Sequence, residues 1–469
     1  MKKFAGDDFL LNTATARRLY ETVAAGLPKI DYHCHLPAEE IAENKCFRNI
    51  TEAWLAGDHY KWRAMRAMGV SETFITGDAS DYEKFRAYCR VMPDLIGNPL
   101  YHWSHLELRR YFDCDLILNE ENCDRIWALT AGKLTDGRHN MKDLILSSGV
   151  AFIGTTDDPA DGLDAHRRLR EEGFPVRVCP SFRPDRGLSP RKPGYADYIG
   201  KLGASAGVNI TNLESLCNAY LVSLDRFEKA GCRAADHGLD EPFSFIRPDP
   251  YHADLIFKKA LAGEPVTAGE ESLFRTQMMR FFAAEYKKRD RVMQLHFGVL
   301  RNPNARFFRA LGADSGFDIP GGENTVGRVA ALLSYLSDSV GLPRTILYSI
   351  NAAETEAVAA LCGAFSPAED GLPRVVQGSA WWFCDRIDGM RAQLRSFAGL
   401  SALGAFLGMT TDSRSVLSYP RHEYFRRIFC DLVGEWVENG EYPADETALS
   451  TLVRKICFEN AAAYFGLQK

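Results

Sequence analysis

Eight apolar runs of strand length, separated by segments with helical periodicity, constrain the fold of this 469-residue chain more than any other feature. The runs are residues 29–36, 150–156, 175–182, 232–238, 291–298, 345–351, 374–382 and 406–412. Strands that alternate with helices pair in parallel, because each crossover between parallel neighbours needs a helix. Eight such units favour an α/β fold of the closed (β/α)₈ TIM-barrel type. The fourth run is the weakest, since alanine and aspartate are poor strand formers.

A doubly wound open sheet is the alternative architecture for the same alternation of elements. Its usual Gly-rich phosphate turn after the first strand is missing, because the chain reads "HCHLPAEE" there. Residues 37–149 contain no convincing strand and carry four segments that read as helices. We therefore predict a single barrel domain over residues 1–469, with a large helical insertion after the first strand. Catalytic barrels carry their sites in such loops, so the insertion is a candidate lid.

Charge and cysteine usage narrow the partners and the compartment. The net charge is −6 and the pI about 6.0, which argues against nucleic acid and anionic membranes as partners, because both favour basic patches. No apolar run approaches the ~18 residues that a spanning helix needs. Asp7 and Asp8 fall where a signal peptide needs apolar residues, and the twelve cysteines form no C-x-x-C pair. We expect a cytoplasmic protein with free thiols, and its mass of 52.4 kDa is compatible with a homo-oligomer.

Two histidines one residue apart end the first predicted strand, in the segment "IDYHCHL". In extended backbone, His33 and His35 point to the same side, roughly 6–7 Å apart. In a closed barrel the eighth strand pairs with the first, which puts Asp412 about one strand spacing, ~5 Å, from both histidines. Two imidazoles and a carboxylate suit a divalent ion such as zinc, with positions left open for substrate. Unrelated polar strand ends are the alternative, and Asp31 is either a residue that supports the ligands or a solvated strand start.

Further candidate residues lie near the ends of other predicted strands. His296, close to the end of the fifth strand, is placed to face the same cavity. Arginine binds carboxylates as a bidentate fork, so Arg414, two residues after the eighth-strand aspartate, indicates an anionic substrate. Arg183 and Arg301 also follow strands, although a surface ion pair explains each of them better when taken alone. Trp381 either stacks on a sugar at the cavity mouth or packs in the barrel rim.

Long motifs spread over nearly the whole chain resemble the uronate isomerase (glucuronate isomerase) family of the amidohydrolase superfamily. They are "DYHCHLP" at the first strand and "TDSRS" at the eighth, with "GDHYKWRAMR", "GNPLYHWSHLELRR", "GTTDDP", "TILYSIN" and "HEYFRRI" elsewhere. The resemblance implies a (β/α)₈ barrel, one divalent ion, usually zinc, and aldose–ketose isomerisation. It implies conversion of D-glucuronate to D-fructuronate, and of D-galacturonate to D-tagaturonate, through an enediol.

The resemblance carries the family's functional residues onto matching positions of this chain. From the residues alone, His59 and Tyr60 read as a polar helix end, and the resemblance promotes both to site residues. Trp381 joins the set because an aromatic at the cavity mouth suits a sugar. The predicted site then comprises the metal ligands His33, His35 and Asp412, the catalytic residues Tyr60, His59, Arg414 and Asp412, and the substrate-binding residues Arg183, His296 and Trp381.

The expected chemistry leaves one choice open within the site. Isomerisation needs a base near C2 and positive groups near the oxygens where charge develops. Either Tyr60 or Asp412 shuttles the proton, and a nearby cation such as Arg414 would lower the pKa of the phenol.

Two other functions compete with the isomerase. The competing enzyme is a metal-dependent hydrolase, and many of these carry a carboxylated lysine at the end of the fourth strand, where "CRAADHGLD" has none. A sugar- or metal-binding protein without turnover is the non-enzyme alternative. Pure binding, however, has no need of such a complete cluster.

Overall fold

The computed structural model describes residues 2–240, 243–367 and 371–467. Its strands are β1 (Lys29–Asp31), β2 (Val150–Asp157), β3 (Arg177–Phe182), β4 (Ala234–Leu239), β5 (Val292–Phe297), β6 (Val299–Leu300), β7 (Ile319–Pro320), β8 (Thr345–Ser349) and β9 (Val375–Gln377). Seven of them form one parallel sheet in the order β1-β2-β3-β4-β5-β8-β9, while β6 and β7 form a separate antiparallel ribbon. The predicted α/β class with a parallel sheet is confirmed, and the weakly predicted fourth strand is part of it.

The helices connect these strands and cover the sheet. They are α1 (Ala14–Leu19), α2 (Ala38–Ala42), α3 (Ile50–Leu55), α4 (His59–Ala67), α5 (Asp81–Val91), α6 (Pro99–Phe112), α7 (Cys123–Leu134), α8 (Met141–Ser147), α9 (Asp164–Glu171), α10 (Tyr195–Ala206), α11 (Leu213–Lys229), α12 (Pro250–Leu261), α13 (Ala268–Lys288), α14 (Ala305–Leu311), α15 (Thr325–Ser339), α16 (Thr355–Ala364), α17 (Ile387–Leu400), α18 (Pro420–Glu438), α19 (Glu446–Arg454) and α20 (Asn460–Tyr464). Among the helices the structure describes, none is both long and apolar enough to cross a membrane.

The eighth predicted run is the one that does not form a regular strand. It still lies along the end of β1, because the His35 N–H donates to the Ser413 carbonyl at 2.9 Å and the Asp412 N–H to the His33 carbonyl at 3.1 Å. The His33 N–H, however, donates to the Thr410 hydroxyl at 2.9 Å instead of to a backbone carbonyl. Asp412 itself has a φ of 47°, in the left-handed region. Both departures break the ladder, which is why the sheet has seven strands and not eight.

Seven α-helices, α2 to α8, lie between β1 and β2, and this part of the described chain contains no strand. Their apolar sides share one buried cluster with α1 and α18, in which Trp54 and Phe112 are almost fully covered. Helix α4 begins at His59 because the Asp58 side chain accepts hydrogen bonds from the N–H groups of Tyr60 and Lys61. This helix start holds His59 and Tyr60 in a fixed position over the sheet.

A separate apolar cluster fills the inner side of the sheet. Each strand of the sheet contributes at least one residue to it, and the eighth run and the C-terminal segment add others. Its members include Ile30, Phe152, Cys179, Ala234, Val292, Ile346, Val376, Leu407, Tyr464 and Phe465. Because this cluster occupies the part of the sheet where the strands begin, the polar residues collect at the carboxyl ends of the strands.

Asp157, at the end of β2, is a largely buried carboxyl group outside the predicted site, with 13% of its side chain exposed. Burial raises the pKa of Asp157 to about 7, although the Thr155 hydroxyl, which donates to Oδ2 at 2.6 Å, opposes part of the rise. The ordinary value is about 3.9, so between about pH 4 and 7 the folded protein binds a proton that the unfolded chain has released. The contribution of this group to stability therefore falls as the pH rises through that window.

We predict that Asp157→Asn stabilises the protein more at pH 8 than at pH 5. The gain in the free energy of unfolding over the wild type should be about 1–3 kcal/mol larger at pH 8. Urea unfolding followed by circular dichroism at both pH values measures the difference. Asp164→Asn, at a carboxylate whose side chain is 75% exposed, is the control and should leave the pH dependence as in the wild type. An equal effect of Asp157→Asn at the two pH values would contradict the raised pKa.

Candidate active site

His33, His35 and Asp412 lie together where β1 ends and the eighth run returns alongside it. The Oδ1 atom of Asp412 is 3.3 Å from His33 Nε2 and 3.2 Å from His35 Nε2. Donor atoms around a tetrahedral ion with bonds of about 2.0–2.1 Å lie about 3.3 Å apart. The carboxylate oxygen therefore lies at the distance from each imidazole nitrogen that two ligands of one ion have, and the three residues form one of the groups of the described chain that could hold a metal.

Asp31 supports the segment that carries the Asp412 carboxylate. Its side chain is fully buried and accepts hydrogen bonds from Thr410 Oγ1 at 2.7 Å, Thr411 N at 2.7 Å and Thr411 Oγ1 at 2.6 Å. These bonds join β1 to the irregular eighth run directly before Asp412. Of the two explanations offered for Asp31, support of the ligands agrees with the structure, and a solvated strand start does not.

The second oxygen of Asp412 points away from the two histidines. Its Oδ2 atom accepts a hydrogen bond from Trp381 Nε1 at 2.6 Å and a longer one from the Tyr60 hydroxyl at 3.4 Å. The Trp381 ring also lies edge-on to His296, with 4.6 Å between the ring centroids. The indole N–H therefore orients the carboxylate, a contact that the sequence pattern did not reveal.

A second polar group lies deeper in the sheet and contains a residue that the sequence analysis missed. Asp236 of β4 is completely buried, and its carboxylate is 2.7 Å from His296 Nδ1 and 3.1 Å from Arg183 Nη1. Arg183 also donates through Nε to Asp185 Oδ2 at 3.0 Å. The sequence signal for Asp236 is its position inside the fourth apolar run.

All the predicted site residues except Tyr60 line one cavity of about 210 Å³. The wall also includes four residues without a predicted role in the site, which are Thr156, Arg301, Asp314 and Trp382. Three arginines face a space of the size of a small sugar, so an anionic ligand suits the cavity.

His59 and Arg414 lie at the mouth of this cavity. The His59 ring is edge-on to Trp382, with centroids 5.0 Å apart, and its buried Nδ1 has no hydrogen-bond partner among the described residues. Arg414 Nη2 is 3.7 Å from Asp314 Oδ2, at the outer side of the mouth. Both side chains are placed to donate hydrogen bonds to a ligand in the cavity.

Comparison with known proteins identifies the family to which this site belongs. The family model described as glucuronate isomerase matches residues 1–465. The chain belongs to the glucuronate isomerase family.

Relatives named uronate isomerase match this glucuronate isomerase family member over its whole length. The protein from Bacillus licheniformis is 46% identical over 470 residues, covering 100% of this chain and 98% of the relative. The protein from Caldicellulosiruptor saccharolyticus is 47% identical over 469 residues, covering 99% and 100% of the two chains. The crystal structure of the uronate isomerase from Thermotoga maritima superposes with a TM-score of 0.92 at 35% identity, covering 99% of this chain and 100% of that one.

The charge states in this glucuronate isomerase family site favour cation binding. Burial lowers the pKa of His35 to about 4. Burial would raise the pKa of Asp412, but hydrogen bonds from His33 and His35 hold it well below its usual range. Burial would likewise lower the pKa of His33, but the carboxylates of Asp236 and Asp412 together raise it. A metal is ligated by an ionised carboxylate and by neutral imidazoles, so Asp412 and His35 are already in the binding form, whereas His33 would release a proton when it binds a cation.

Tyr60 differs from the sequence-based expectation of a phenol with a lowered pKa. Burial and the neighbouring Asp412 carboxylate raise the pKa of Tyr60 well above its usual value. The cation that faces the Tyr60 ring is Arg421, 5.6 Å from the ring centroid, and not Arg414. The Tyr60 hydroxyl is therefore protonated at neutral pH and acts as a hydrogen-bond donor.

Proposed function

We propose that the chain interconverts D-glucuronate and D-fructuronate, and D-galacturonate and D-tagaturonate, by proton transfer between C2 and C1 through an enediol. Membership of the glucuronate isomerase family supports this activity. The observation that carries the mechanism is the double environment of Asp412. One oxygen faces two histidines and the other faces Trp381 and Tyr60, at a cavity with three arginines.

The donor atoms at the end of β1 fit a divalent metal ion. His33 Nε2, His35 Nε2 and Asp412 Oδ1 offer two nitrogen donors and one oxygen donor, a set that suits zinc and leaves positions for substrate. We infer that these residues would hold one Zn²⁺. When bound, the ion would act as a Lewis acid toward substrate oxygens.

Side chains of the cavity would bind the substrate and stabilise the enediol. Arg183, held on two sides by Asp185 and Asp236, would bind the substrate carboxylate. Arg414 and His59 at the cavity mouth would donate hydrogen bonds to the enediol oxygens.

We propose that Asp412 Oδ2, the oxygen that faces Trp381 and Tyr60, carries out the proton transfer. Asp412 Oδ2 would take the proton from C2 and return it to C1. In the same steps O1 gains a proton and O2 loses one, and the protonated Tyr60 hydroxyl, 3.4 Å from Oδ2, is placed to exchange protons with these oxygens. Tyr60 then supplies an acidic proton, while Asp412 supplies the base.

The domain organisation is also proposed. Leu407 packs in the inner apolar cluster with residues from every strand of the sheet, and the eighth run is hydrogen-bonded to the end of β1. Both observations support closure of the sheet into a (β/α)₈ barrel by that run, within one domain over residues 1–469. Helices α2 to α8 would act as a lid, because α4 carries His59 and Tyr60 over the site. A cytoplasmic location and a homo-oligomer stay predictions of the sequence.

Turnover of D-glucuronate and of D-galacturonate in D₂O, followed by NMR, tests the proposed activity. We expect the zinc-loaded protein to form ketose from both sugars, with deuterium at C1 to the extent that Asp412 exchanges its proton with solvent. Treatment with a chelator should lower the rate, and added Zn²⁺ should restore it. If zinc-loaded protein formed no ketose from either sugar, the isomerase proposal would be wrong.

We predict that Trp381→Phe lowers kcat for D-glucuronate by about 10–100-fold, the cost of removing a hydrogen bond to a charged group. The phenyl ring keeps the aromatic contact with His296 but cannot donate to Asp412. Trp382→Phe is the matched comparison, because that neighbouring ring lines the same cavity and stacks on Phe383. Steady-state kinetics should show a smaller effect for Trp382→Phe, and equal effects would argue against the role of the indole N–H.

A further inference from the structure

Asp236 connects three side chains of the site that lie at or just after the ends of three different strands, β1, β3 and β5. Its carboxylate is 2.7 Å from His296 Nδ1, 3.1 Å from Arg183 Nη1 and 3.8 Å from His33 Nδ1. The next residue in β4, His237, is buried as well, but its Nε2 is paired with the Tyr286 hydroxyl on helix α13. Successive side chains of a strand point to opposite faces, so of these two residues Asp236 is the one that faces the site.

The contact with His33 is the one expected of a residue that supports a metal ligand. The two nitrogens of His33 face opposite carboxylates, with Nε2 toward Asp412 and Nδ1 toward Asp236. A proton on Nδ1 leaves the lone pair of Nε2 available for a metal ion, and a carboxylate beside Nδ1 favours that tautomer. At 3.8 Å the Asp236 carboxylate is too far from Nδ1 for a hydrogen bond, so it acts on the tautomer of His33, and on its strength as a ligand, through its charge.

The contact with Arg183 ties the same carboxylate to substrate binding. Asp236 meets Nη1 of the guanidinium, while Asp185 accepts from Nε at 3.0 Å. A planar guanidinium held at two of its nitrogens presents its remaining N–H groups in a fixed direction. The position of the arginine therefore depends on Asp236 as much as on Asp185.

A second metal ion is the competing explanation, because donor atoms of His33, Asp236 and His296 also lie close enough to hold one. The guanidinium of Arg183 already neutralises Asp236 from 3.1 Å. A divalent cation at the same carboxylate would be repelled by that charge in a buried, low-dielectric environment. The arginine therefore favours a supporting role for this carboxylate.

We propose that Asp236 is a positioning residue that couples the metal ligand His33 to the substrate-binding residue Arg183. The coupling explains why a carboxylate with no exposed surface lies between two histidines and an arginine. The part of this inference that concerns catalysis rests on the proposed isomerase function. The part that concerns the metal does not, because metal affinity is measured without substrate.

The test compares Asp236→Asn with Asp185→Asn, which removes the other carboxylate on Arg183 but touches neither His33 nor His296. Metal-free proteins are titrated with Zn²⁺, and the zinc-loaded proteins are assayed with D-glucuronate. We expect Asp236→Asn to weaken zinc binding by about 10–100-fold and to raise KM about 10-fold. Asp185→Asn should raise KM while its zinc affinity stays within about threefold of the wild type.

Several results would overturn the proposal. One is a zinc affinity of Asp236→Asn within threefold of that of the wild type. Another is the finding that the wild type binds two zinc ions and Asp236→Asn binds one, because Asp236 would then be a ligand of a second ion. If Asp236→Asn does not fold, Asp236→Glu replaces it, because the longer side chain keeps the charge beside Arg183 but moves the carboxylate. The same loss of zinc affinity is expected there, and unchanged affinity would again overturn the inference. A wild type that binds zinc normally but forms no ketose would reject only the proposed function.

Discussion

Replacement of Asp412 by asparagine is expected to lower kcat/KM for D-glucuronate by about 1000-fold or more. The amide cannot act as a base, and loss of a general base alone costs about 100- to 10,000-fold. The amide also offers no negative charge to an ion between His33 and His35, which are 3.3 and 3.2 Å from Oδ1. Both losses fall on one residue because its two oxygens have different neighbours.

Two measurements separate these losses. Zinc content of the purified Asp412→Asn protein reports the metal site, and NMR of D-glucuronate in D₂O with excess Zn²⁺ reports the base. We expect reduced zinc content, and slow ketose formation even in excess zinc. Asp388→Asn, at an exposed carboxylate on helix α17, is the control and should match the wild type in both assays. Activity of Asp412→Asn close to that of the wild type in excess zinc would show that another group takes the C2 proton.

The cluster of His33, His35 and Asp412 is the part of the site that sequence patterns predict best. Residues two apart in extended backbone share a side, and adjacent strand ends in a barrel bring distant segments together. Both arguments need only the order of elements and no detail of packing. The structure places the Asp412 carboxylate 3.3 and 3.2 Å from the two histidines even though the eighth run is irregular.

The environment of Asp236 shows what such patterns leave out. A carboxylate in a weakly predicted strand reads as a solvated residue, because an unpaired charge is rarely buried. Here the burial is stabilised by Arg183 and His296, which are 53 and 60 positions away in the numbering of the chain. Partners from other strands decide whether a charge is buried, and local periodicity carries no information about them.

The irregular eighth run has a similar cause. Its residues have ordinary strand composition, but the side chain of Thr410 takes the hydrogen bond of the His33 N–H that a regular ladder would give to a carbonyl. Asp31 then fixes Thr411 from the neighbouring strand, and Asp412 adopts a positive φ. The two contacts and the positive φ that interrupt the strand also aim the carboxylate at the histidines, so this departure from the predicted strand falls at the candidate site.

Tyr60→Phe is expected to lower kcat by about 100-fold while changing KM by less than threefold. Burial and Asp412 keep the pKa of the phenol well above its usual value, so Tyr60 is a proton donor at neutral pH and not the first base. Its loss removes one general acid, whose contribution is about 100-fold or more. The ring remains supported by His59, 4.8 Å away, and by Arg421 at 5.6 Å, so the fold and the substrate-binding groups should be unchanged.

The rate of exchange of the C2 proton of D-glucuronate with D₂O distinguishes the two candidates for the proton shuttle. If Asp412 is the base, Tyr60→Phe should still exchange the C2 proton faster than it forms ketose, because abstraction continues while protonation of the oxygens is slowed. If Tyr60 were the base, exchange and ketose formation would fall together. Tyr251→Phe, at an exposed phenol on helix α12, controls for loss of a hydroxyl elsewhere. Wild-type turnover by Tyr60→Phe would remove Tyr60 from the reaction and leave Asp412 alone to move both protons.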